Sequence, residues 1–77
     1  MLYVRYAALM RPPGPGAVPR DGLRETGYTE GYTPSGHHAW GWADYNRYLT
    51  PEEISHYDLE YVHSCMLYDE EEKKHDV

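Results

Sequence analysis

The sequence predicts a small α+β domain, with a three-stranded, mostly antiparallel sheet, one short helix and a long Pro/Gly-rich loop. Three observations support this fold class. Segments near both ends and in the middle of the chain show the two-residue periodicity and the residue types of strands. A strong helix-start signal lies at residues 49–54. Five of the six prolines and six of the seven glycines fall within residues 11–36. We expect one domain over residues 1–68 and a charged, disordered tail over 69–77.

The first predicted strand covers residues 2–10. Leu2, Val4, Tyr6 and Ala8 alternate with a second set of side chains that is also fairly apolar, and Val and Tyr suit a pleated strand. Residues 11–36 follow as a loop, because proline lacks an amide donor and glycine raises the entropy cost of a helix. A single short helix would leave one sheet face open. We therefore expect this loop or a second subunit to cover that face.

The second predicted strand covers residues 37–46. A two-residue period places His38, Trp40 and Trp42 on one face. The opposite face carries small residues, which allow another backbone to approach closely.

The clearest local signal is the helix predicted over residues 51–57. Thr50 is a favourable N-cap, Pro51 suits the first helical position, and Glu53 completes a capping box. The third strand is predicted over residues 58–67, since Asp58 and Glu60 would share its polar face. The alternative for this region is one helix from residue 51 to about residue 70.

Charge and cysteine content restrict the function. Seven Lys and Arg stand against 13 Asp and Glu, which gives a formal charge of −6. This balance argues against binding a nucleic-acid backbone, and no apolar run is long enough to span a membrane. The single cysteine cannot form a disulfide within the chain. With no secretory signal evident, we expect a cytoplasmic protein.

The aromatic content predicts an interaction surface. Nine Tyr and two Trp occur without any Phe, and Tyr and Trp dominate protein-binding patches. We therefore predict a non-enzymatic interaction protein, without catalytic residues or a cofactor, that binds another protein or a second copy of itself. The predicted surface consists of Tyr28, Tyr32, Trp40, Trp42 and Tyr45.

The alternative function is a zinc-binding domain, structural or hydrolytic. Small domains often need a disulfide, a metal or a partner chain for stability. His63 and Cys65 would point to the same side of a strand, and His38 could complete a site if the strands pair. These three residues are the predicted zinc ligands.

Several short segments show a family resemblance. Gly36-His37-His38-Ala39-Trp40-Gly41, Tyr48-Leu49-Thr50-Pro51-Glu52-Glu53-Ile54 and Tyr57-Asp58-Leu59 resemble segments of small proteins and domains from conjugative elements of Gram-positive gut bacteria. The resemblance implies a mobile-element setting, with a role against host defence or in maintenance of the element. It implies no catalytic residues.

Overall fold

The computed structural model describes residues 1–67 and shows a mostly β domain, with about 43% of these residues in strands. The expected tail at 69–77 lies outside the described residues. In chain order the elements are β1 (Leu2–Ala8), β2 (Leu23–Gly27), β3 (Gly31–Tyr32), β4 (His38–Ala39), β5 (Gly41–Tyr45), α1 (Pro51–His56) and β6 (Leu59–Met66). The predicted α+β class with a three-stranded sheet is therefore wrong.

The main sheet has four antiparallel strands in the order β2-β5-β1-β6, and β3 and β4 form a separate two-stranded sheet. The fourth strand, β2, comes from the segment that was predicted to be a loop. Its residues 23–26 contain neither proline nor glycine, so they can pair with β5 at the sheet edge. The overall Pro and Gly content of residues 11–36 concealed this short strand.

The segment predicted as the second strand is interrupted. Its first part is β4 and its second part is β5, with Trp40 between them. The backbone N–H of Trp40 donates to Ala8 at 2.8 Å. At Gly41 an added Cβ would collide with the carbonyl oxygen of Gly27 and lie 2.9 Å from Pro13, so this position requires glycine.

The helix and residues 13–19 cover one side of the main sheet, which we call the helix face. Its core contains Val4, Tyr6 and Ala8 of β1, with Tyr45 of β5 and Val18 from the segment before β2. Part of the predicted loop therefore packs on the same face as the helix.

The capping signal predicted the helix start correctly. The Glu53 N–H donates to Thr50 Oγ1 at 3.1 Å, and Glu53 Oε1 accepts from the Thr50 N–H at 2.9 Å. Asp58 follows the helix with a left-handed φ of 54°, a conformation that interrupts a right-handed helix. The alternative of one helix from residue 51 to about 70 is therefore excluded, and the strand predicted over residues 58–67 is confirmed by β6.

The other side of the sheet is covered in part by the β3–β4 hairpin, and we call it the hairpin face. Arg5, Ala7 and Trp42 lie on this face and line a cavity beneath the hairpin. We expected the predicted loop or a second subunit to cover the open face, and β3 and the turn that follows it, both within the predicted loop, cover part of that face.

Candidate functional site

The candidate site is a group of three exposed rings on the β3–β4 hairpin, Tyr32, His38 and Trp40, which we call the hairpin cluster. Tyr32 pairs with His38 across the two strands, and their rings meet edge to face with centroids 5.8 Å apart. The His38 and Trp40 rings are 5.2 Å apart at an interplanar angle of 89°. Tyr32 is 77% exposed and Trp40 is 39% exposed, so a partner could reach the cluster from solvent.

A hydrogen-bond network attaches the hairpin to the main sheet. Glu60 of β6 accepts from Ser35 Oγ at 2.6 Å, and its other carboxylate oxygen lies 2.6 Å from His37 Nδ1. These hydrogen bonds, from His37 first and Ser35 second, lower the pKa of Glu60 to about 2. Within the turn, the N–H groups of His37 and Gly36 donate to the side chain and carbonyl oxygen of Thr33. The hairpin cluster therefore lies on an anchored turn.

An ion pair and an aromatic ring occupy the sheet beside the hairpin. Arg5 donates two hydrogen bonds to the carboxylate of Asp44, at 2.8 and 2.9 Å. Its guanidinium lies 3.9 Å from the ring centroid of Trp42. The hydrogen bond to Asp44 raises the pKa of Arg5. Trp42 also lies against Gly27, where an added Cβ would overlap the indole ring. The indole ring of Trp42 thus lies between the guanidinium of Arg5 and the space left by the missing side chain of Gly27.

The structure separates the residues predicted for the interaction surface. Tyr32 and Trp40 belong to the hairpin cluster, whereas Trp42 is half-buried beneath Arg5. Tyr45 is 0% exposed and belongs to the core, because it lies on the opposite side of β5 from Trp42. Tyr28 is exposed but lines a different groove of about 270 Å³ beside residues 13–16.

The predicted zinc ligands lie in two separate elements. His38 is on the hairpin, where its Nε2 is 3.0 Å from Glu30 Oε1. His63 and Cys65 are exposed on β6, opposite Arg5 and Tyr3 of β1. Within residues 1–67, no three His, Cys, Asp or Glu side chains are grouped closely enough to hold a metal ion. The zinc hypothesis stays a prediction.

Sequence reasoning missed the two glutamates that bind the neighbouring histidines. The strand period placed His37 and His38 on opposite faces, and the structure gives them Glu60 and Glu30 as separate partners. Glu60 is distant in sequence and reaches His37 only because β6 pairs with β1. The adjacent histidines were the available signal, but the fold topology was needed to identify their partners.

These observations define a small, mostly β domain that presents an anchored, exposed aromatic cluster. Residues 1–64 match the family described as Defence against restriction A C-terminal, and the chain belongs to this family. It is a small domain related to defence against restriction, which fits the predicted mobile-element setting but gives no support to the Gram-positive gut bacteria. No curated protein and no solved structure matches the chain. Residues 1–67 include no helix with the length and apolar character needed to cross a membrane.

Proposed function

We propose that this domain acts in defence against restriction as a non-enzymatic interaction module, and that the hairpin cluster is its contact surface for a protein partner. The observation that carries the proposal is the exposure of Tyr32 and Trp40 on a turn that is anchored to the sheet. An anchored aromatic surface can bind without a large loss of conformational entropy. Aromatic side chains of this kind supply much of the binding energy at protein interfaces.

The polar groups around the cluster support binding rather than catalysis. The carboxylate with a lowered pKa, Glu60, is used to anchor the turn. The cavity beneath the hairpin measures about 180 Å³, and the guanidinium of Arg5 on its wall is already bonded to Asp44. Glu60 and Arg5 are thus both engaged in structural contacts.

The charge of the chain supports a protein as the partner. A formal charge of −6 opposes the approach of a nucleic-acid backbone. Under this proposal the partner is another protein or a second copy of the chain. A cytoplasmic site of action is part of the proposal and agrees with the single cysteine of the sequence.

The test measures transformation by unmodified plasmid DNA in matched restricting and non-restricting hosts that produce the chain. The chain should raise transformation of the restricting host, and a variant carrying Tyr32→Ala and Trp40→Ala should lose this protection. Tyr48→Ala is the matched control, because Tyr48 is an exposed tyrosine outside the cluster. Immunoblots should show equal amounts of all proteins.

Two results would overturn the proposal. If the unaltered chain gives no protection, the role in defence is wrong. If the double variant protects as well as the unaltered chain, the hairpin cluster is not the contact surface.

A further inference from the structure

We propose that the hairpin cluster, together with Glu30, binds an arginine side chain in a basic segment of the protein partner. This inference deepens the proposed function and rests on it. It assigns a ligand chemistry to the contact surface and adds one residue to it.

Glu30 places a carboxylate beside the aromatic rings. The residue directly precedes β3, and its Oε1 lies 3.0 Å from His38 Nε2. The ring of His38 therefore contacts the carboxylate as well as the rings of Tyr32 and Trp40. The side chain of Glu30 is 59% exposed, so an incoming cation could reach both the carboxylate and the aromatic rings.

A guanidinium fits this combination of groups better than other side chains do. Aromatic faces attract cations, and arginine can stack on a ring while its N–H groups bond to a carboxylate. The formal charge of −6 adds a long-range attraction for a basic segment. An acidic or neutral partner would gain neither contribution.

Two arginines of the same chain contact aromatic rings, and one of them, Arg5, also bonds to a carboxylate. Arg5 lies over Trp42 and bonds to Asp44, and Arg24 lies 4.5 Å from the ring centroid of Tyr3. The hairpin cluster offers the corresponding aromatic and carboxylate groups. Among the cation–aromatic contacts and ion pairs of residues 1–67, no arginine or lysine engages Tyr32, Trp40 or Glu30. Glu30 is bonded there only through Oε1, to His38, which leaves its Oε2 for the guanidinium of a partner.

The test is an NMR titration of the isotope-labelled chain with a blocked tetra-arginine peptide, followed by the indole N–H of Trp40. Tetra-citrulline, which has nearly the same shape without the charge, is the control ligand. We expect saturable shifts with tetra-arginine and much smaller shifts with tetra-citrulline. Glu30→Gln and Tyr32→Ala should each weaken binding by about threefold, as expected for one exposed ion pair or one cation–aromatic contact.

The matched control is Glu52→Gln, which removes one exposed carboxylate from the helix and so changes the net charge equally. Its affinity should fall much less than that of Glu30→Gln, because only the long-range attraction is reduced. Equal binding of tetra-citrulline, or equal weakening by Glu52→Gln and Glu30→Gln, would overturn the inference.

The outcome can be separated from that of the proposed function. Protection that depends on the hairpin cluster, without tetra-arginine binding, would overturn the arginine site and leave the proposed function intact. Specific tetra-arginine binding by a chain that gives no protection would overturn the defence role and leave the ligand chemistry of the site intact.

Discussion

The substitution Tyr6→Phe tests why the core of this domain uses tyrosine rather than phenylalanine. Tyr6 is 1% exposed, and its hydroxyl oxygen accepts the backbone N–H of Leu49 at 2.9 Å. Leu49 is itself buried, so water cannot readily replace the lost acceptor. The substitution removes one oxygen atom, changes the packing volume little and leaves a buried amide donor without a partner.

The expected loss of stability follows from that unpaired donor. An unsatisfied buried polar group costs about 1–3 kcal/mol, which corresponds to a fall in Tm of roughly 4–8 °C for each kcal/mol in a domain of this size. Tyr45→Phe should cost about 1 kcal/mol, because it removes the hydrogen bond from the hydroxyl to the Pro19 carbonyl. Burial raises the pKa of Tyr45, which keeps this hydroxyl protonated as a donor.

Urea unfolding at neutral pH, followed by far-ultraviolet circular dichroism, measures these losses. Tyr48→Phe is the control, since the hydroxyl of Tyr48 is exposed and bonds only to the side chain of Ser64 among the described residues. Its stability should match that of the unaltered protein within about 0.5 kcal/mol. Equal stabilities for Tyr6→Phe and Tyr48→Phe would refute the reasoning.

Three further predictions concern local features. Gly27→Ala should destabilise the domain by about 1–3 kcal/mol and alter the near-ultraviolet circular dichroism, because its Cβ would displace Trp42. Gly31→Ala, which adds a Cβ in open space, should change neither. Hydrogen bonds from Arg47 and from the N-cap Thr50 lower the pKa of Glu53 from 4.5 to about 2. The ionised Glu53 carboxylate therefore contributes fully to stability above pH 4.5, and this contribution is lost as the pH falls towards 2. Glu53→Gln should make the urea unfolding midpoint depend less on pH between 4.5 and 2. The same pH dependence in the variant and the unaltered protein would contradict this. Thr50→Ala should lower the free energy of unfolding by about 1 kcal/mol at pH 7 through loss of the N-cap, and an unchanged urea midpoint would argue against it.

Local signals allowed part of the fold to be predicted from the sequence. The helix start required only the spacing of Thr50 and Glu53, and both residues act within one turn. The alternation of residues 59–66 also sufficed to favour a strand there. By contrast, β2 is short and lies among prolines and glycines, and its pairing with β5 depends on tertiary contact.

Part of the candidate site could also be predicted from the sequence. Aromatic content pointed to Tyr32 and Trp40, which the structure brings together through His38. The sequence could not separate them from Tyr45, since its burial depends on which face of β5 the helix covers. Nor could it identify Glu60, which contacts the turn only after β6 has joined the sheet.

The two ends of the described chain meet at one corner of the sheet. The N–H of Leu67 donates to the Met1 carbonyl at 2.7 Å, whereas the hairpin cluster lies near Ala8 at the other end of β1. A strand of this length spans roughly 20 Å. A surface linker, fluorescent protein or second domain joined at Met1 would therefore be held away from Tyr32 and Trp40. Immobilisation through that corner would leave the aromatic rings facing solution, which suits surface-based binding measurements.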